Sequence, residues 1–153
     1  MTEFAARLAE EAVKTPALAK FHPCYAGYFL CFNREEYYEA HDILEHLWLE
    51  SEGADWAFYK GLIQFAGGFV HLRLQHLNPD HPVHGARLRP ACRLFQLARG
   101  NLLQSSPTYH GLDILGVDQT AVEYLSRITE SNYRVNPWQP GSGPRILPVR
   151  EGT

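Results

Sequence analysis

Residues 32–50 read FNREEYYEAHDILEHLWLE, and the spacing of their apolar side chains decides the fold. Turning the run at 100° per residue gathers Tyr37, Tyr38, Ala40, Leu44, Leu47 and Trp48 on one broad face. Glu35, Glu39, His46 and Glu50 fall on the other. Asn33 suits the N-cap, with Glu36 as its reciprocal partner and Phe32 and Tyr37 as a hydrophobic staple. Gly53 suits the exit. The pattern predicts a core-facing helix, and His41 and Glu45 lie in the middle of its apolar stripe, one turn apart. Two ionisable groups placed there predict a site, with His41, Glu45 and Trp48 mostly buried.

The following stretch predicts a second, more buried helix, capped by Asp55 and ending near Leu77 before Asn78-Pro79. Phe58, Leu62, Ile63, Phe65, Ala66, Phe69, Val70 and Leu72 cover most of its circumference. Lys60, Gln64, Gly67, Gly68, His71 and Gln75 form a narrow polar and glycine stripe. Each glycine inside a helix costs about 1 kcal/mol against alanine, so Gly61, Gly67 and Gly68 together predict a close approach by another backbone.

Elsewhere, residues 2–14 read as a short helix, with Phe4, Leu8 and Val13 inward and Pro16 as its stop. Pro23 suits the first turn of a helix through the aromatic stretch leading to Phe32. Residues 78–85, NPDHPVHG, read as a loop. Leu88, Leu94, Leu97 and Ala98 mark a further helix, with Pro90 leaving its start ambiguous. Asp118 suits the cap of a last helix to about Ser131, with Val122, Leu125 and Ile128 inward. There is no β alternation and no internal repeat. The fold class is all-α: a compact multihelical bundle forming one domain over residues 1–131. From Asn132 the chain carries Pro137, Pro140, Pro144 and Pro148, which predict an extended tail over 132–153 packed through Trp138 and Ile146 or Leu147.

The 153 residues suffice for one domain with a real core. A net charge of −3 argues against general nucleic-acid or anionic-membrane affinity. Acids concentrate between Glu35 and Asp55, while Arg73, Arg87, Arg89, Arg93 and Arg99 dominate the later half. Cys24, Cys31 and Cys92 form no metal-ligand pair and suit a reducing cytoplasmic setting. Residues 2–14 are charged and amphipathic, so no secretory signal is expected at the start, and no run approaches the apolar length of a membrane span.

Three readings of the His41–Glu45 pair stand side by side. In the first, it joins Lys60, Gln64 or His71 in an internal hydrogen-bond network that only orients two helices; losing one side of such a buried pair costs about 3–5 kcal/mol. In the second, the network lines a small-molecule pocket walled by Trp48 and Tyr37 or Tyr38, with His41 and Glu45 as an acid–base pair in its active form. In the third, His41, Glu45 and His71 hold zinc or iron for a metal-assisted hydrolase. Neither H-E-x-x-H nor H-x-x-E-H is present, nor the Glu-x-x-His repeat of di-iron bundles. Arg89 and Arg93, one turn apart, could clamp a phosphate or carboxylate, though such pairs more often meet acids on a neighbouring helix. His76, His81 and His84 cluster around the loop, where solvation is the simpler reading. Partner and oligomeric state are left open: a small molecule or a protein.

The run FNREEYYEAHDILEHLW, with H-x-x-x-E-x-x-W at His41, Glu45 and Trp48, resembles the signature of the bacterial and archaeal family named for domain of unknown function 309. KGLIQFAGGFVHLR, residues 60–73, is similar to that family's next helix, and GARLRPACRLFQLA, from Gly85, is a weaker match. The resemblance implies a compact helical domain without an established activity, and it singles out His41, Glu45 and Trp48 without giving them roles. The loop HLNPDHPVHG departs from the family's short Gly-Asn turn.

Overall fold

The computed structural model describes residues 2–149; residue 1, and residues 150–153 of the expected tail, lie outside the described residues. Six helices carry the fold: α1 (Glu3–Val13), α2 (Pro23–Asn33), α3 (Tyr37–Leu49), α4 (Ala54–Leu77), α5 (Leu88–Leu102) and α6 (Ile114–Glu130). Each helix from α1 to α5 packs on the next, and α5 packs in turn on α6, so α4 is flanked by α3 and α5. The all-α reading holds, with one addition between α5 and α6. Strands β1 (Thr108–Tyr109) and β2 (Leu112–Asp113) pair antiparallel. Their two-residue turn places His110 and Gly111 at φ 46° and 76°, the left-handed pair a tight hairpin requires.

The decisive stretch is two helices rather than one. Asn33 ends α2, and α3 starts only at Tyr37. Between them Glu35 takes φ 62°. Its amide donates to the Phe32 carbonyl and the Glu36 amide to the Cys31 carbonyl, the pair of bonds that closes a helix end around a left-handed residue. Asn33 is therefore a helix end rather than a cap, and its side chain exchanges two 2.8 Å hydrogen bonds with the backbone of Ile146. Phe32 and Tyr37 do touch, edge to face at 5.2 Å, but across the break.

Other boundaries shift for equally local reasons. Gly53, at φ 62°, precedes α4 as its N-cap. Asp55 sits inside the first turn, where it accepts hydrogen bonds from the Tyr109 hydroxyl and His110. Asp113 caps α6 by accepting from the Gly116 amide at 3.0 Å, and Asp118 instead holds Arg99 at 2.7 Å. The buried face of α6 is Ile114, Val117, Ala121, Tyr124 and Ile128, with Val122 and Leu125 only half-buried. In α1 the inward residues are Ala5, Leu8, Ala9 and Ala12, while Phe4 and Val13 are exposed. Pro90 lies in the first turn of α5, where the missing N–H would have no intrahelical partner.

The core is aromatic. Phe32 stacks on Phe65 at 5.4 Å and meets Phe69 edge-on at 5.5 Å. Phe95 and Tyr124 close on Phe69 from the other side. The glycines of α4 admit α5: a Cβ at Gly61 would lie 3.2 Å from the Leu102 amide nitrogen, and one at Gly68 would overlap the Phe95 ring. Beyond α6, Trp138 is buried, and its indole N–H donates to the Tyr37 hydroxyl at 3.0 Å. The Glu35 carboxylate accepts from the amides of Gly141 and Gly143, both at 2.8 Å. Ile146 is partly buried against the core, whereas Leu147 is exposed.

Candidate functional site in the groove along helix 4

The polar stripe of α4 is only partly covered by the helices beside it. Lys60, Gln64, Gly67 and His71 follow one another at steps of three or four residues and form the floor of a groove of about 320 Å³. Tyr38 and His41 of α3 form one wall. Leu94 of α5 forms the other, and Ile63 and Val70 supply apolar flanks. Five of the seven side chains singled out by sequence reasoning therefore meet here: Tyr38, His41, Lys60, Gln64 and His71.

The remaining two stand beside it. Glu45 and Trp48 continue the row of His41 along α3 but do not line the groove. The Lys60 ammonium lies over the Trp48 ring, 4.3 Å from its centroid, a cation–π contact. Trp48 also packs against Trp56 at 5.5 Å, and its indole N–H is shielded from solvent with no partner among the described residues.

The expected place of the His41–Glu45 pair at the centre of the inward face is corrected by its geometry. Their side chains are 36% and 43% exposed, and His41 Nδ1 lies 3.7 Å from a Glu45 oxygen, beyond hydrogen-bonding distance. The inward face of α3 is Tyr37, Ala40, Ile43 and Leu44, so His41, Glu45 and Trp48 ride on its shoulder. Neither His41 nor Glu45 hydrogen-bonds Lys60, Gln64 or His71 among the described residues. Burial lowers the His41 pKa, partly opposed by Glu45 and Asp42, which favours the neutral imidazole. Tyr38, largely exposed, stacks on that ring at 6.2 Å.

Partners behind the groove hold its floor. Arg87 donates to Nδ1 of His71 at 3.1 Å and to Nδ1 of His84 at 2.6 Å. A guanidinium has no lone pair to offer, so both imidazoles accept and both are neutral. Burial first, and the Arg87 charge second, lower the His71 pKa to match. Asn101 of α5 donates to the Gln64 oxygen at 2.7 Å. Arg87, Asn101 and Leu94 escaped assignment to the site from sequence. Leu94 read only as a core position and Asn101 gave no periodic signal. Arg87 was one among several arginines.

The other candidates separate. Arg89 lies over the Tyr133 ring at 3.9 Å, and Arg93 is exposed. Among the described residues no three His, Cys, Asp or Glu side chains gather where a metal ion could be held; His71 Nδ1 faces Arg87. A second cavity, of about 260 Å³, adjoins the groove through Tyr38 and Val70 and is edged by Glu35, Glu36, Glu39 and Arg73. One Glu36 oxygen there is buried with no partner among the described residues, and desolvation, then Glu39, raise the Glu36 pKa.

Residues 25–79 match the family model described as Domain of unknown function (DUF309). That stretch runs from α2 to just past the end of α4, so it contains the α3 wall and the floor of the groove but not the α5 wall. The GARLRPACRLFQLA stretch falls outside it. No curated protein and no solved structure matches the chain. Over residues 25–79 the match to that family model agrees with the family resemblance read from the sequence.

Proposed function

We propose that the protein is a small binding module of the cytoplasm whose ligand, a small organic molecule, occupies the groove between α3, α4 and α5. The observation that carries this reading is the convergence of Tyr38, His41, Lys60, Gln64 and His71 on one cavity with apolar flanks. Ligand sites are concave and mostly apolar, with few but convergent polar groups. A buried structural network would instead have satisfied these groups against one another. Gly67 and Gly68 support the same reading: glycine costs helix stability, yet here it lowers the floor and brings α5 close. The three cysteines are free and buried, which suits a reducing compartment. Among the described residues no helix is long and apolar enough to cross a membrane.

The test is a titration of isotope-labelled protein with a set of small organic fragments, followed by amide shifts. Binders should move Lys60, Gln64, Gly67, His71 and Leu94 together. Shifts scattered evenly over the surface, with none concentrated there, would refute the proposal.

A further inference from the structure

The hydrogen-bonding sense of the groove is set from outside it, and this names the class of ligand. Gln104 Nε2 donates to the Gly100 carbonyl at 3.2 Å, which orients its amide. The same nitrogen faces the Asn101 oxygen at 3.5 Å, so Asn101 presents its NH2 to the Gln64 oxygen. Gln64 is left with its own NH2 as the free end. His71, with Nδ1 occupied by the guanidinium of Arg87, carries its proton on Nε2 and is likewise a donor. Lys60 can only donate, and it forms no ion pair with a carboxylate among the described residues. Among the described residues the groove is lined by no Asp or Glu. Its floor is therefore a row of donors bearing one full positive charge, and only His41 and the Tyr38 hydroxyl can offer a lone pair.

Spacing along α4 divides that row. Lys60 and Gln64 are one turn apart, about 6 Å along the axis, and His71 lies about 10 Å beyond Gln64. Gly67, Val70 and Leu94 fill the interval with apolar surface. Resting on the binding role proposed above, we infer that the ligand is a carboxylic acid with an apolar body and a second, neutral acceptor at its far end. The carboxylate lies between Lys60 and Gln64, the hydrocarbon body on Gly67, Val70 and Leu94, and a carbonyl or ether oxygen on His71 Nε2. One ammonium with neutral donors around it suits a monoanion better than a phosphate dianion.

The experiment uses 4-acetylbenzoate, 4-acetylbenzyl alcohol, 4-ethylbenzoate and phenyl phosphate as probes, read by calorimetry and amide shifts. 4-Acetylbenzoate should bind at the groove amides. Affinity should fall about tenfold for the uncharged alcohol and for Lys60→Met, the worth of one hydrogen bond to a charged group. Lys60→Arg should retain binding, Gln64→Glu should abolish it, and 4-ethylbenzoate should bind more weakly than the acetyl compound. Circular dichroism confirms that each variant is folded. If the alcohol binds as well as the acid, the carboxylate assignment is overturned while the groove remains a binding site. Tighter binding of phenyl phosphate overturns the monoanion. If no probe moves the groove amides, the inference fails, and the wider fragment set decides the binding role separately.

Discussion

Replacing Gly68 with alanine tests whether α4 and α5 are held at glycine distance. Two effects oppose each other. Alanine restores helix propensity worth about 1 kcal/mol. Its methyl, however, would stand 2.5–2.8 Å from three atoms of the Phe95 ring. That ring is fully buried and has no room to retreat, with Phe69 at 5.1 Å and Phe65 and Tyr124 both at 6.0 Å. Overpacking of this kind costs about 1–3 kcal/mol, and the rigid neighbours place Gly68→Ala toward the upper end. The net expectation is destabilisation by about 1–2 kcal/mol after the propensity gain is subtracted. Gly100, on the same pair of helices, supplies the control. It is exposed in the last turn of α5, and nothing lies within 4 Å of its added Cβ. Gly100→Ala should stabilise by about 0.5 kcal/mol, part of the full propensity because the turn is terminal. Urea denaturation followed by circular dichroism measures both, and Gly68→Ala with Phe95→Leu should recover part of the loss. Equal stabilisation by both alanines would refute the close packing of α4 on α5.

Trp138→Ala should cost about 3–5 kcal/mol, the range for removing a buried large aromatic, and Trp138→Phe less; a loss below about 1 kcal/mol in urea titration would show that the segment after α6 adds little. Glu45→Gln should change stability by less than about 1 kcal/mol, because the pair with His41 is half exposed and loosely spaced. A loss of several kcal/mol in thermal melts would restore the buried-network reading. The pKa values of His41, His71 and His84 are all lowered, in each case first by desolvation. The unfolded chain therefore takes up protons near pH 6.5 that the folded chain resists, so stability should fall as pH drops through about 6.5 toward the lower folded values. A melting temperature unchanged between pH 7.5 and 5.5 would contradict this.

How much of this was legible in the sequence depended on whether a residue type carried one physical meaning. The stripe on α4 was legible because glycines are expensive inside a helix and polar groups are rare on an otherwise apolar one; both pointed to the same line. The break at Glu35 was not. A left-handed helix end is signalled by glycine, and here a glutamate adopts it, with its carboxylate bonded to two backbone amides more than a hundred residues away. The inward face of α3 was misplaced because Tyr38 and Trp48 were counted as apolar. Both have polar edges and sit comfortably at a helix shoulder, so the true centre lies at Ala40, Ile43 and Leu44. Asp113 and Asp118 are equally plausible caps by type. The choice between them depends on the hairpin that delivers Asp113 and on Arg99, which engages Asp118. Arg87 was invisible as a site residue because its role comes from two imidazoles brought together only by the fold.

The bond between Trp138 and Tyr37 bears on the order in which the chain can fold as it is made. α3 and α4 are complete once residue 77 has emerged, but the Tyr37 edge between them lacks its indole until residue 138 follows. At about 5–20 residues per second, that interval lasts several seconds. During it the nascent chain exposes aromatic surface beside Tyr37 and Phe69, with the left-handed Glu35 not yet held by its distant amides. The final docking step joins partners 101 residues apart, and contacts of such long range are the slow ones. Late synthesis, rather than the early helices, thus governs when the bundle acquires its final stability.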